Sequence, residues 1–251
     1  MSINSSQKKL QLNPNNSVDC VIFGFDFEQI KVLLIDRGQN LGNSKNLRAL
    51  PGNLIYEEED LDEAAYRVLE ELTGIKDIYL EQVGAFGNPN RVNKESDREW
   101  LKSIRDEPNA RVITAAYYSL VKIDDFIPKP HSFAKKAEWI PLTEIEELAF
   151  DHFEILQVAK EKLKQKIKIQ PIGFNLLPEK FTLSQLHKLY ECIFEKPLDK
   201  RNFRRKIQKL NILTNLKEKQ RGVPHKPSQL YKFNEENYQL LTQNGYDNFG
   251  F

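Results

Sequence analysis

Short runs of hydrophobic residues, separated by polar turns, dominate the first part of the chain. The strongest three read VDCVIFGF at 18–25, IKVLLID at 30–36 and RVITAAYYSLV at 111–121. Runs of this length that are rich in β-branched and aromatic residues predict strands. Two weaker runs predict further strands at 78–86 and 138–141. Together these segments indicate one mixed sheet.

One segment instead has apolar residues three and four positions apart, which is the spacing of a helix with one buried face. Its apolar residues are Leu61, Ala65, Val68, Leu69 and Leu72. Asp60 and Glu63 have the spacing of a capping box at the helix start, and Gly74 stands where a left-handed residue ends a helix. The sequence therefore predicts an amphipathic helix between Asp60 and Gly74.

Three other helical segments are predicted at 97–104, 142–148 and 151–165. Asp151 stands where the last of them begins, and aspartate is a preferred N-cap residue. Helices that are few and interspersed among short strands are typical of an α+β fold. We therefore expect an α+β sheet domain that ends near residue 157.

The pattern then changes to two amphipathic helices, at 181–194 and 199–210, joined by a tight turn. Short apolar segments after them predict a hairpin. Two helices and a hairpin in this order are the outline of a winged helix-turn-helix. The predicted order is an N-terminal tail (1–15), the sheet domain (16–157), a linker helix and hinge (158–172), the winged-helix domain (173–241) and a C-terminal tail (242–251).

The composition of the chain excludes several classes of protein. Hydrophobic residues make up 40% and charged residues 29% of the 251 residues, and the net charge is +1. No apolar run reaches the length that spans a membrane, so we expect no membrane partner. The two cysteines, Cys20 and Cys192, lie far apart in apolar surroundings, which favours reduced thiols and a cytoplasmic location.

The predicted winged-helix domain carries a one-sided positive charge. Between residues 196 and 232 there are twelve lysines and arginines but only two acidic residues, Asp199 and Glu218. A basic segment that coincides with a second helix and a wing favours binding to double-stranded DNA. Arginine and asparagine at the start of a recognition helix are suited to reading bases. The predicted DNA-binding residues are Lys200, Arg201, Asn202, Arg204, Arg205 and, in the wing, Arg221.

The segment from Leu50 to Ile75 resembles the signature of the Nudix family, G-x5-E-x7-R-E-U-x-E-E-x-G-U, in which U is aliphatic. The residues that match it are Glu59, Arg67, Leu69, Glu71, Gly74 and Ile75. The resemblance implies an α/β/α sandwich for the sheet domain. In that family the helix glutamates hold a divalent metal against a diphosphate, since Mg²⁺ prefers hard oxygen ligands.

The segment also departs from that signature. Val68 and Leu72 occupy the positions of two helix glutamates, and neither side chain can bind a metal. Asn53 falls on the signature glycine, which asparagine can replace where a left-handed backbone is needed. We therefore predict a degenerate Nudix box, formed by Asn53, Glu59, Arg67, Glu71 and Gly74. Arg67 is expected to bind Glu59 and Glu71, with no metal, no cofactor and no catalytic residue.

Most of the chain resembles the Nudix-related transcriptional regulators, which join a degenerate Nudix domain to a C-terminal winged helix. The similar stretches include DCVIFGF, RVLEELTG, FDHFEIL, FTLSQL and DKRNFRRKI. The resemblance implies a homodimer, a palindromic DNA operator and a small-molecule effector in the Nudix cleft. It is closest to the arabinose-responsive branch of Bacteroidetes, which implies sugar sensing and control of pentose utilisation; another branch senses ADP-ribose.

Four residues are candidates for contacts with the effector, namely Phe86, Arg91, Arg111 and Tyr117. Two other functions stay open at this point. One is an active Mg²⁺-dependent hydrolase of a nucleoside diphosphate derivative such as ADP-ribose, against which Val68 and Leu72 argue. The other is an RNA-binding protein, against which the layout of a recognition helix argues. The identity of the effector, the operator, the sign of regulation and the role of an insertion at 92–109 stay open too.

Overall fold

A computed structural model describes residues 11–38, 48–92, 94–224 and 226–246. The N-terminal unit is built on a six-stranded sheet in the order β4-β5-β1-β2-β6, with β3 pairing with β1 at one end. Its strands are β1 (Leu12–Phe25), β2 (Ile30–Asp36), β3 (Gly52–Tyr56), β4 (Glu81–Phe86), β5 (Ile113–Lys122) and β6 (Lys136–Pro141). Its helices are α1 (Leu61–Thr73), α2 (Glu95–Ile104) and α3 (His152–Ile169). The predicted α+β architecture is confirmed.

The long strand β1 runs through the middle of the sheet and explains why both faces are covered. Side chains alternate along a strand, and its two sets lie in two different hydrophobic clusters. Val18, Cys20 and Ile22 pack with α1, whereas Val21 and Phe23 pack with α3. This burial on both faces explains why residues 20–25 of β1 form an unbroken apolar run.

The C-terminal unit is a winged helix, as the sequence predicts. Its elements are β7 (Phe181–Thr182), α4 (Leu183–Phe194), α5 (Lys200–Leu210), β8 (Leu213–Lys219), β9 (Gln229–Phe233) and α6 (Glu235–Gln243). The capping box of α4 is formed by Thr182 and Gln185. The final helix α6 was missed by the sequence prediction.

The helix α3 leads from the sheet domain towards the winged helix. It ends at Ile169, inside the predicted linker (158–172), and buried residues of both units form one continuous cluster. Lys160 and Lys164 of α3 donate hydrogen bonds to the carboxylate of Glu195, at distances of 3.1 and 2.5 Å. Glu195 is the left-handed residue in the turn between α4 and α5. The turn of the helix-turn-helix is therefore held directly to α3.

Three details of the sequence prediction were wrong. Residues 12–15 belong to β1 and not to a tail, since Leu12 pairs with Tyr56 of β3. The helix predicted at 142–148 is only a short 3-10 turn, Leu142–Glu144. The chain leaves that turn because the N–H of Ala149 bonds to the carbonyl of Arg48 at 2.9 Å. Residues 1–10 and 247–251 of the predicted tails lie outside the described residues.

The third wrong detail concerns Asp151. It precedes α3 as predicted, but its carboxylate makes no capping bond to the helix. The carboxylate instead accepts two hydrogen bonds from Arg91, which directly precedes the insertion. In the part of the chain that the structure describes, no helix is long and apolar enough to cross a membrane.

Candidate functional site

The helix α1 and the loop before it form the frame that the sequence predicts. The Oδ1 atom of Asp60 accepts from the N–H of Glu63 at 2.8 Å, and the carboxylate of Glu63 accepts from the N–H of Asp60 at 3.2 Å. Gly74 has a φ of 74° and ends the helix in the left-handed conformation. Local sequence therefore marks both the start and the end of α1.

Arg67 binds the loop to the helix. Its Nε and Nη2 atoms donate to the two carboxylate oxygens of Glu59 at 2.6 and 2.7 Å, and Nη1 donates to Glu71 at 3.1 Å. Nη2 also reaches the carbonyl of Leu54 at 3.1 Å, and the guanidinium lies 4.2 Å from the ring centre of Tyr56. Burial opposes ionisation of Glu59, but the bonds from Arg67 outweigh it and hold the pKa of that carboxyl below its ordinary value.

A divalent metal does not fit this frame. Val68 and Leu72 are 0% exposed and belong to the core beneath α1. The two remaining carboxylates, Glu59 and Glu71, are both bound to Arg67. Among the described residues, no three histidine, cysteine, aspartate or glutamate side chains lie close enough together to hold a metal ion. The donor set is therefore too small for the near-octahedral oxygen shell of Mg²⁺.

The Nudix box needs a glycine at this point for a reason that differs from the predicted left-handed turn at Asn53. Asn53 lies in the extended strand β3 opposite Val18 and does not have a positive φ. Its neighbour Gly52 is the constrained position, because a Cβ atom there would lie 1.9 Å from the Oδ1 atom of Asp19. The glycine thus makes room for a carboxylate and does not form a left-handed turn.

That carboxylate belongs to a cavity of about 40 Å³, between β1, β2, β3, the start of α3 and the insertion. Its polar lining residues are Ser17, Asp19, Arg37, Asn53, Arg91, Arg105 and His152. Trp100, Phe133 and Phe150 supply aromatic walls. The insertion helix α2 therefore forms one side of the cavity, which is a role that its polar sequence did not reveal.

Asp19 is the centre of the first buried ion network in this cavity. Its carboxylate accepts from Nη2 of Arg91 at 3.3 Å and lies 3.3 Å from Nε2 of His152. Arg91 also binds Asp151 through two hydrogen bonds of 3.0 and 2.8 Å. Burial raises the pKa of Asp19, but His152 and Arg91 outweigh that effect and lower the pKa well below its usual range. Asp19 is therefore a buried, permanently charged hydrogen-bond acceptor.

His152 has a structural function at the same place. Its Nδ1 atom accepts from the N–H of Leu50 at 2.9 Å, which leaves Nε2–H to donate to Asp19. The imidazole therefore fixes the start of α3 to both β1 and the chain before β3.

A second buried ion pair holds the insertion against the sheet. Arg37 donates to Asp97 of α2 at 2.8 Å, and Asp97 is 0% exposed. The other carboxylate oxygen of Asp97 accepts from the N–H of Phe150 at 2.8 Å, while the indole N–H of Trp100 donates to the carbonyl of Arg37 at 3.2 Å. The guanidinium of Arg37 also lies 5.0 Å from the ring centre of Trp100.

The third arginine of the cavity, Arg105, is different. Its Nε atom is shielded from solvent and has no hydrogen-bond partner among the described residues. Its pKa is lowered to about 10, chiefly because burial opposes the charge; the nearby Asp19 carboxylate raises the pKa and the Arg91 guanidinium lowers it.

The four candidate effector residues do not come together. Arg91 lines the cavity. Phe86 packs against the core on the α3 side of the sheet, and Tyr117 donates from its hydroxyl to Asp62 of α1 at 2.6 Å. Arg111 is exposed and donates to the carbonyl of Gly87 at 3.0 Å.

Sequence reasoning missed three charged residues that line the cavity, Asp19, Arg37 and Arg105, and it also missed Asp97, which binds Arg37. One signal was present for the first of them, since Asp19 is the single acidic residue inside the run VDCVIFGF. A charge in a fully buried strand is rare unless it is paired or functional.

The predicted DNA-binding residues form one exposed surface of the winged helix. Phe203, Ile207 and Leu210 bury one side of α5, whose first residue is capped by Asp199 through the N–H of Asn202 at 2.7 Å. The residues of α5 that are exposed include Lys200, Arg201, Asn202, Arg204 and Arg205. Arg221 is exposed in the connection between β8 and β9, which is the wing.

Comparison with known proteins gives matches to both units. Residues 13–159 match the NUDIX domain, and residues 173–233 match the NrtR DNA-binding winged helix domain. The chain is 31% identical over 236 residues to the ADPR responsive transcriptional repressor NtrR of Acinetobacter baylyi, covering 92% of this chain and 87% of that protein. It is also 31% identical over 152 residues to the ADP-ribose pyrophosphatase of Methanocaldococcus jannaschii, covering 59% of this chain and 75% of that protein.

A solved structure resembles the whole arrangement. The crystal structure of Shewanella oneidensis NrtR complexed with a 27mer DNA has a TM-score of 0.67 and 26% identity to this chain. The similarity covers 90% of this chain and 96% of that one. Both units and their order are therefore shared with a protein that binds DNA.

Proposed function

The chain belongs to the NrtR family, with a NUDIX domain followed by a C-terminal winged-helix DNA-binding domain, and from this premise we propose that it is a metabolite-responsive transcription regulator. The exposed basic face of α5 is the observation that carries the proposal. Its cations are exposed to solvent while Phe203, Ile207 and Leu210 are buried, so the cations can contact a DNA duplex. Arg221 of the wing adds a contact to the phosphate backbone.

The regulator acts as a homodimer on a palindromic operator. Two recognition helices related by a two-fold axis read two half-sites, so the spacing of the helices determines the affinity for DNA. A ligand that binds one arrangement better than the other changes that spacing, within the limit of its differential affinity. The contacts from α3 to Glu195 supply a physical connection between the sheet domain and the helix-turn-helix.

ADP-ribose is the first candidate for the effector, because the relative from Acinetobacter baylyi is an ADPR responsive repressor. A free pentose, and with it control of pentose utilisation, is the second candidate. The cavity favours a small ligand, since its volume is only about 40 Å³. Two of the arginines that line it, Arg37 and Arg91, are buried and already bound to the carboxylates of Asp19, Asp97 and Asp151, which favours an uncharged ligand over a diphosphate.

Hydrolysis of a nucleoside diphosphate derivative has less support. The relative from Methanocaldococcus jannaschii is an ADP-ribose pyrophosphatase. In this chain, however, the two helix positions that would supply metal-binding glutamates are the buried Val68 and Leu72. We therefore propose a domain that binds its ligand without Mg²⁺-dependent turnover.

The test is a DNA-binding measurement by fluorescence anisotropy. Duplexes that are selected from random double-stranded DNA by the wild-type protein serve as the probe, at one fixed salt concentration. Arg205→Ala should weaken binding by about 1–3 kcal/mol, as expected for loss of a base contact. Lys209→Ala is the matched control, because it removes an exposed cation from the other end of α5.

ADP-ribose and L-arabinose are then added separately to the wild-type complex. Release or tightening of the DNA by either compound supports the proposal and identifies the effector class. Equal binding of the two variants, or stronger binding to single-stranded RNA, would contradict the assignment of α5. Turnover of ADP-ribose in the presence of Mg²⁺ would contradict the ligand-sensing function of the NUDIX domain.

A further inference from the structure

The insertion places one guanidinium group in the wall of the cavity without a hydrogen-bond acceptor for its Nε atom. Arg105 directly follows α2, and its backbone N–H closes that helix on the carbonyl of Leu101 at 2.9 Å. The Nε atom is inaccessible to solvent and has no partner among the described residues. Nearly all buried polar groups in folded proteins are hydrogen-bonded. Such a donor inside a cavity therefore indicates a missing acceptor.

The neighbouring arginines show why Arg105 is the exception. Arg91 is bound to Asp19 and Asp151, and Arg37 is bound to Asp97. These two guanidinium groups hold the insertion and the start of α3 in place. Arg105 lines the same cavity without taking part in either network.

We propose that Arg105 is a specificity-determining residue, which donates a hydrogen bond to an oxygen atom of a small hydroxylated group of the effector. This inference rests on the proposed function of the NUDIX domain. The size and charge balance of the cavity favour a single sugar unit, whether a free pentose or the ribose of ADP-ribose. Asp19 is charged and faces the same cavity, so it accepts from the hydroxyls of that sugar unit.

This arrangement has a consequence for the protein without ligand. A buried donor that lacks an acceptor destabilises the folded state, and removal of such a donor is neutral or stabilising. Methionine has a similar length and no donor. Arg105→Met should therefore leave the melting temperature unchanged or raise it, whereas the same change at an arginine with a structural function lowers it.

The experiment compares the full-length wild type with Arg105→Met and with Arg98→Met. Arg98 is the matched control, because it lies on the same insertion helix with half of its side chain exposed. The melting temperature is measured alone and with L-arabinose, D-ribose, ADP-ribose or inorganic phosphate, and the dissociation constant is measured by calorimetry. A ligand that binds only the folded state raises the melting temperature.

We expect at least one sugar-containing compound to raise the melting temperature of the wild type and of Arg98→Met. Its affinity for Arg105→Met should be weaker by about tenfold to hundredfold, as expected for loss of a hydrogen bond to a charged group. If only a free pentose binds, the effector is the free sugar. If only ADP-ribose binds, the sugar unit is the ribose of ADP-ribose.

Three outcomes overturn the inference. A lower melting temperature of Arg105→Met without ligand would show that the residue is structural. Unchanged affinity of Arg105→Met would leave the proposed function standing but remove Arg105 from the ligand site. If no compound binds the wild type, or if inorganic phosphate binds as well as the sugars, the sensing of a sugar unit fails, and the inference fails with it.

Discussion

Two arginine networks in the sheet domain make an instructive comparison. The first joins Arg67 to Glu59 and Glu71 on α1, where the side chains are 11–38% exposed. The second contains Arg37 and Arg91 around the cavity, where all partner side chains are 0–9% exposed. The first network fixes a loop to a helix at the surface. The second surrounds a cavity that is lined by no residue of α1.

Removal of the Asp97 carboxylate from the second network should cause the largest loss in the free energy of unfolding. The Asp97→Ala variant removes the carboxylate that binds the buried guanidinium of Arg37 and accepts from the N–H of Phe150. Loss of one partner of a buried ion pair costs about 3–5 kcal/mol. Urea denaturation should therefore show a loss of this size in the free energy of unfolding.

Glu95→Ala is the control for that experiment. Glu95 lies on the same helix α2, is 68% exposed, and pairs with Arg98 at 3.8 Å. An exposed pair of this kind contributes about 0–1 kcal/mol. A similar loss in both variants would mean that the insertion is not held by the buried pair.

Substitutions in the first network should lower the free energy of unfolding by less. Glu59→Ala removes two short hydrogen bonds to Arg67, and hydrogen bonds to charged groups contribute about 1.5–3 kcal/mol. We expect a loss of about 2 kcal/mol in the free energy of unfolding. Glu71→Ala, in which the removed carboxylate is 38% exposed, should cost under about 1 kcal/mol. A larger loss in Glu71→Ala than in Glu59→Ala would mean that the pair of Arg67 with Glu71 within the helix, and not the pair with Glu59 of the loop, stabilises this network.

The smallest expected effect is a change in the free energy of unfolding as the pH is lowered. Asp19 has a lowered pKa in the folded state, so its ionisation stabilises the fold above the pKa of the unfolded chain, about 3.9, and this stability is lost as the pH falls. Between pH 4.5 and 3.5 the loss from this one group is about 0.6 kcal/mol. The free energy of unfolding of Asp19→Asn should fall less steeply over this range. An identical pH slope in the wild type would show that Asp19 is not held ionised.

The sequence predicted those features that depend on neighbours along the chain. The capping boxes at Asp60 and Thr182, the left-handed Gly74 and the apolar face of α1 all follow from spacing within one turn or one helix. The ion frame of Arg67 was predictable too, because Glu71 is one helical turn away and the signature gives the position of Glu59.

The cavity could not be predicted in the same way. Its partners come from positions 19, 37, 97 and 151, which are distant in sequence and meet only after the sheet has formed. Asp151 shows the limit clearly: its position predicts a helix cap, but Arg91 competes for the carboxylate with a charged, two-bond interaction. Local preference is overruled where a distant residue offers a stronger bond.

The contact between Gly52 and Asp19 has a consequence for how this sequence can diverge. Any other residue at position 52 would place a carbon atom 1.9 Å from the Oδ1 atom of Asp19. A missense change in the glycine codon is therefore incompatible with the present position of the Asp19 carboxylate. Selection that maintains the carboxylate also maintains the glycine, and the two codons are expected to change together in the descendants of this gene.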